Sequence, residues 1–158
     1  MNEGPPQPPV DGRQSEAALR IARGARRLLR RMGYATITEL PLRNGRRADI
    51  VALDSRSGLA IVEIKSSIAD FRADRKWADY RFHCDELYFA ISGETPAEIM
   101  PEDAGLIIAD QYGAHIVRAA PQHRMPPATR REMLLRFAHA SADRLHALID
   151  PDLRAFDQ

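Results

Sequence analysis

Asp49, Glu63 and Lys65 are the residues of this chain whose types and spacing could do chemistry. Asp49 heads one apolar run, Ile50-Val51-Ala52-Leu53. Glu63 and Lys65 interrupt a second, Leu59-Ala60-Ile61-Val62-Glu63-Ile64-Lys65. The turn-forming stretch Asp54-Ser55-Arg56-Ser57-Gly58 lies between them. Short β-branched runs bounded by turn residues read as two strands of a hairpin. Residues two apart on a strand share a face, so Glu63 and Lys65 point the same way. Burying an unpaired charge is costly, so the pair needs a reason. It can be a Glu63–Lys65 ion pair at the sheet's edge. It can equally be a metal site, with Asp49 and Glu63 offering oxygens to a hard divalent cation. Mg²⁺ is usually bound by one or two carboxylates plus waters and substrate phosphates. A neighbouring lysine would then orient an attacking water and offset phosphate charge. Spacing alone leaves both readings open.

These residues must be positioned by elements around them. Ser15 can cap a helix running to about Met32, with Gly33 as its stop. Ala18, Ile21, Ala22, Ala25, Leu28, Leu29 and Met32 follow helical spacing. Arg20, Arg23, Arg27, Arg30 and Arg31 crowd the other side, as a solvated face or as a phosphate-contacting one. Glu16 falls in the first turn, where a carboxylate suits the helix dipole. Tyr34–Leu40 reads as a first strand ending at Glu39, near the same site. Pro41 and Asn44-Gly45 mark a turn that Arg43, Arg46 and Arg47 make basic. Asp70 can cap a second helix over about Phe71–His83, on which Arg72, Lys76 and Tyr80 share a face while Phe71 and Trp77 turn inward. Lys76 and Tyr80 could reach back over the Lys65 end of the strand. Leu87–Ile91 reads as a fourth strand, and Gly105–Asp110 with Ala114–Val117 as a further hairpin. A proline-bearing linker precedes a last amphipathic helix over about Thr129–Leu148, able to cap the core or pair with a partner.

The 158 residues suit one domain with a real core, and 44% hydrophobic with 28% charged residues describe a globular protein. A net charge of +1 provides no global attraction to nucleic acid, so any basic patch must be local. A single cysteine, Cys84, excludes an intrachain disulfide framework and fits a reducing cytoplasm, the expected location. It precedes Asp85-Glu86, a poor setting for a reactive thiolate. No apolar run is long enough to span a bilayer. MNEGPPQPPVDGRQ has no signal-peptide pattern and reads as a disordered proline-rich tail over residues 1–14. His115, His123, His139 and His146 show no metal-ligand spacing.

The order helix, three strands, helix, strand, with Asp on the second strand and Glu-x-Lys on the third, resembles the PD-(D/E)XK nuclease superfamily. Within it the chain resembles the MmcB-like DNA repair proteins. The residues that carry the likeness are Glu39-Leu40-Pro41-Leu42, Arg46-Arg47-Ala48-Asp49-Ile50, Val62-Glu63-Ile64-Lys65-Ser66, and the run Asp70-Phe71, Asp74, Lys76-Trp77, Tyr80, Cys84-Asp85. They span about residues 15–117. Ala48 stands where the superfamily name has proline.

The resemblance implies an α/β, restriction-endonuclease-like core over residues 15–120: a mixed four-stranded sheet flanked by helices, with an extra hairpin. Residues 121–158 would form a linker and a C-terminal helix on the core. It also implies Mg²⁺-dependent hydrolysis of DNA, with Mn²⁺ as a substitute. Asp49, Glu63 and Lys65 match the catalytic positions, and Glu16 matches the acidic residue of the first helix. Asp49, Glu63 and the Ile64 carbonyl would hold the metal. Arg20, Arg23, Arg27, Arg46, Arg47, Lys76 and Tyr80 would contact DNA. A homodimer or a repair-complex partner fits a small nuclease. The alternative is a non-catalytic DNA-binding or adaptor domain on the same fold.

Overall fold

The computed structural model describes residues 15–152; the proline-rich stretch 1–14 lies outside them. The chain runs α1 (Glu16–Arg31), β1 (Ala35–Pro41), β2 (Arg47–Leu53), β3 (Leu59–Ile64), α2 (Ile68–Ala73), a 3₁₀ helix (Trp77–His83), β4 (Glu86–Ile91), β5 (Gly105–Ala109), β6 (Ala114–Arg118) and α3 (Pro127–Ile149). A short 3₁₀ turn at Ala97–Ile99 precedes β5.

The six strands form one mixed sheet in chain order, with the β3–β4 and β4–β5 pairs parallel and the remaining pairs antiparallel. The expected four-stranded core is therefore extended. The β5–β6 hairpin continues the same sheet, because β5 pairs with β4.

Two apolar faces sandwich the sheet. Ile21, Ala25 and Leu29 of α1 pack on Ile50, Ala52, Val62, Ala90 and Ile107. Met133 and Phe137 of α3, with Tyr80 and Cys84, cover Ile37, Leu40, Val51, Ile61 and Leu87. Burial pushes the Cys84 thiol up to about 12, so it stays an inert core group.

The ends of α1 follow the sequence signals. Ser15 accepts from the Ala18 N–H, and Gly33 takes a φ of +91° that suits glycine. Gly24 sits against the backbone of the β5–β6 turn, where a Cβ would fall inside contact distance of the Asp110 and Gly113 carbonyls. Gly→Ala in a helix is ordinarily stabilising. Here Gly24→Ala is expected to destabilise by roughly 1–3 kcal/mol through overpacking against backbone. Denaturant unfolding measures it, and a rise in stability would contradict the close approach.

The second helix departs from expectation. A single helix over Phe71–His83 is replaced by α2 and a 3₁₀ helix, broken at Asp74–Lys76. The cap is Ser67, which accepts from the Asp70 N–H, and not Asp70, which instead accepts from the Ser66 N–H. The break has a local cause. Asp74 accepts from the Lys76 N–H, an Asx turn that competes with helix continuation.

Candidate active site

The register between β2 and β3 ends at Ile50↔Val62. The next rung is made by side chains. Glu63 Oε1 accepts from the Asp49 N–H at 3.1 Å, and Asp49 Oδ2 accepts from the Ile64 N–H at 2.8 Å. The reciprocal bonds lock both carboxyls at the point where the ladder stops. Glu63 is 4% exposed. Burial pushes Asp49 up to about 6, against the opposing pull of the Ile64 N–H, and the Glu39 carboxylate adds to the rise. Burial, and then the facing Asp49 carboxylate, push Glu63 well above the usual range. The two carboxyls are close enough to hydrogen-bond to each other, so they titrate as a pair.

Lys65 follows directly. Its N–H donates to the Ala90 carbonyl, extending the β3–β4 pairing, and its side chain is 6% exposed. The Glu63–Lys65 ion pair, one of the two readings left open by the spacing, does not form. Lys65 Nζ donates instead to Asp74 Oδ2 at 2.7 Å. Burial would raise the Asp74 carboxyl, but the Lys65 and Lys76 hydrogen bonds outweigh it and hold the group below its ordinary value. Asp74 thus fixes the ammonium beside the Asp49–Glu63 pair, a partnership that spacing along one helix could not reveal.

Glu39 enters the site at a local twist of β1, the β1–β2 register being the same on both sides of it. Ile37 and Leu40 share one apolar cluster although they are three apart, so strict strand alternation fails between them. The backbone at Glu39 has a φ of +53°, a conformation uncommon for a non-glycine residue. On the outer edge of β1, Arg144 of α3 donates to the Thr38 and Glu39 carbonyls, and Arg136 donates to the Pro41 carbonyl. The C-terminal helix therefore clamps the strained strand. The Glu39 carboxylate pairs with Arg47 at 3.0 Å.

A cleft of about 1480 Å³ runs from these acids along α1. Arg23, Arg26, Arg27 and Arg30 line it, with Tyr34, Thr36, Glu39, Arg47, Ser66, Asp70 and Tyr80. Arg26 donates to Thr36 Oγ1 at 2.9 Å, and Arg27 to the Tyr112 carbonyl at 3.1 Å.

Of the expected site residues, Asp49, Glu63, Ile64, Lys65, Arg23, Arg27, Arg47 and Tyr80 are brought together at this cleft. Four others are not. Glu16 is exposed and pairs with Arg20, so the helical acid expected near the metal stands outside, and Arg20 with it. α1 turns Ile21, Ala25 and Leu29 to the sheet, and its first-turn acid is left in solvent. Arg46 pairs with Asp79 at 2.9 Å. Lys76 is exposed outside the cleft, because the break after α2 destroys the helical spacing that aligned it with Tyr80. The Tyr80 hydroxyl already donates to the Arg47 carbonyl at 3.0 Å, and burial raises its pKa. Arg26 was missed as a cleft residue. Its signal was present, since positions 23, 26, 27 and 30 form one stripe.

Among the described residues, no three His, Cys, Asp or Glu side chains converge as a ready-made metal cage. The donor set nevertheless suits a hard divalent cation bound through few protein ligands. Burial raises both carboxyls and the facing Asp49 carboxylate raises Glu63 further, a repulsion that a cation between them would relieve.

Over residues 5–152 the sequence matches the family described as DNA repair protein MmcB-like. The chain belongs to the MmcB-like family of DNA repair proteins. A protein of unknown function from Silicibacter pomeroyi is 42% identical to this MmcB-like chain, covering 89% of it and 96% of its own length, with a TM-score of 0.84. That likeness establishes a shared fold without assigning an activity. A repair endonuclease from Pyrococcus abyssi is 19% identical, covering 52% of the MmcB-like chain and 38% of its own, with a TM-score of 0.32. A likeness at that level establishes no common architecture. No curated protein matches the chain. No helix of the described residues is long and apolar enough to cross a membrane.

Proposed function

We propose that this MmcB-like protein is a divalent-metal-dependent deoxyribonuclease of the PD-(D/E)XK type. One observation carries the reading: the Asp49–Glu63 carboxyl pair, buried and cross-bonded beside the Lys65 ammonium, opens into an arginine-lined cleft. Asp49 and Glu63, with the Ile64 carbonyl, would hold Mg²⁺ or Mn²⁺. When bound, the cation supplies positive charge against the phosphate oxygens in the transition state.

The chain's own residues do the rest. Asp74 orients Lys65, whose Nζ positions the attacking water and offsets charge on the phosphate. Arg23, Arg26, Arg27 and Arg30 hold the backbone of the substrate through charge-assisted hydrogen bonds. Glu16 has no part in this arrangement.

Purified protein is expected to cleave branched, gapped or single-stranded DNA with Mg²⁺ or Mn²⁺ and not in EDTA. Lys65→Met should abolish cleavage while keeping cation-induced thermal stabilisation. Absence of cleavage on all three substrates, together with no cation binding by isothermal titration, sinks the enzyme reading. A second reading is favoured by the close Lys65–Asp74 pair, which can serve stability alone. The protein would then be a DNA-binding or adaptor domain. In that case Asp49→Ala leaves repair intact, whereas reversing Arg23 and Arg27 destroys DNA binding.

A further inference from the structure

α3 has two apolar faces, and the sheet uses one of them. Met133, Phe137 and Ala140 pack on the core, and Arg136 and Arg144 donate to β1 beside them. At about 100° per residue, Ala142 falls on the opposite side of the helix from Met133. Leu135, Ala138, Ala142, Leu145 and Ile149 line that outer side, and all five are exposed. Leu145 is 58% exposed and Ile149 73%. Their spacings run three, four, three and four, the seam of a helix that pairs with another helix. Single exposed apolar residues are ordinary, whereas a continuous stripe of about 21 Å along one helix face marks an interaction surface.

The charges at the two ends of the stripe decide what fits it. Arg131 continues the stripe at its N-terminal end and is exposed, and Asp150 and Asp152 are exposed just past its C-terminal end. Among the described residues none of the three has an ion-pair partner. Two such helices laid antiparallel bring the basic end of each against the acidic end of the other. Centred on Ala142, that register sets Leu135 of each copy against Ile149 of the other, and Ala138 against Leu145. Large side chains then meet small ones next to the centre, where the alanines allow the helices to approach closely. A parallel pair would oppose Arg131 to Arg131 and Asp150 to Asp150, and would leave a gap between two Ala138 methyls.

We propose that the outer stripe of α3 is a self-docking surface, on which two copies of this chain pair their α3 helices antiparallel about Ala142. The same patch serves both copies, as a two-fold dimer requires. The inference does not rest on the nuclease reading. α1 and α3 cover opposite faces of the sheet, so pairing through the outer side of α3 leaves the cleft along α1 open.

The test is sedimentation equilibrium of the full chain at neutral pH, with cysteine cross-linking to read the helix direction. A single helix pair is a small interface, so the wild type is expected to pass from monomer to dimer in roughly the micromolar range. Leu145→Glu and Ile149→Glu should each weaken the dimer by about tenfold or more while leaving the melting temperature of the dilute monomer unchanged, since both side chains are exposed. Val117→Glu, at a comparably exposed apolar residue on β6, is the control and should leave the dimer intact. Ala142→Cys should form a disulfide between copies under mild oxidation, and Leu135→Cys should not; Cys84 is buried and does not compete. A chain that stays monomeric at all concentrations overturns the proposal, including one that dimerises only after residues 153–158 are removed, since its own end then covers the stripe. A dimer untouched by Leu145→Glu, or dissociated equally by Val117→Glu, places the interface elsewhere and overturns it too. Cross-linking of Leu135→Cys as readily as of Ala142→Cys shows a parallel pair and overturns the antiparallel register. Dimerisation without DNA cleavage removes the nuclease reading and keeps this inference; cleavage by a chain that remains monomeric does the reverse.

Discussion

Asp49→Asn is expected to lower DNA cleavage by about 10³-fold, remove the stabilisation conferred by Mg²⁺, and raise the stability of the metal-free protein at neutral pH. The loss of rate follows from removing a ligand to the charge that opposes the transition-state phosphate. The gain in stability follows from linkage. Folding raises the Asp49 pKa from 3.8 to about 6, chiefly by burial. The folded state therefore binds more protons than the unfolded state between those values, and stability falls as pH rises through that window. Above it the ionised group opposes folding by on the order of 3 kcal/mol in the metal-free protein. Asn keeps a carbonyl oxygen for the Ile64 N–H and has no charge to bury. Thermal melts from pH 4 to 8 should show wild type losing stability relative to Asp49→Asn as pH rises, and regaining it with Mg²⁺. Parallel pH profiles, or equal responses to Mg²⁺, would remove Asp49 as a ligand.

Arg130→Met is expected to lower stability by about 2–3 kcal/mol, a large loss for a side chain outside the apolar core. Arg130 ties α3 to the β2–β3 hairpin and to the start of β4. Its two terminal nitrogens bond both oxygens of Asp85 at 2.8 and 2.6 Å, and one also donates to the Ser57 carbonyl at 2.8 Å. Asp85 in turn accepts from the Leu59 N–H. Breaking a fully buried pair costs about 3–5 kcal/mol; these side chains are 27% and 18% exposed, and screening reduces the expectation to about 2–3 kcal/mol. For a domain of this size that is roughly 5–10 °C in Tm. Arg130 holds the Asp85 carboxyl below its ordinary range. The contribution is therefore present above the unfolded value near 3.8 and is lost as pH falls through the lowered folded value. The gap between wild type and Arg130→Met should be widest near neutrality and close in acid. A Tm within a degree of wild type would show that α3 is held by its apolar face and its Arg136 and Arg144 bonds to β1 without help from Arg130.

Much of the arrangement was legible in the residues. Ser15 and Gly33 bound α1 because a hydroxyl at the cap and a glycine at positive φ are local requirements. Asp49 and Glu63 face each other because period-two strands joined by a short turn allow few registers. The family, too, was readable from the run of motifs around them. Other features arose only when the elements packed. A helix with arginines at 20, 23, 26, 27, 30 and 31 has a wide polar side, and its rotation on the sheet selected Arg26 and excluded Glu16 and Arg20. The Asx turn at Asp74 overrode helical spacing and removed Lys76 from the cleft. The partner of Lys65 lies nine residues on, at the break after α2, and the left-handed backbone of Glu39 is held by α3 arginines more than a hundred residues away. Local propensity determines elements and their caps; the rotation of a helix about its axis and the choice among competing charged partners are set by tertiary packing.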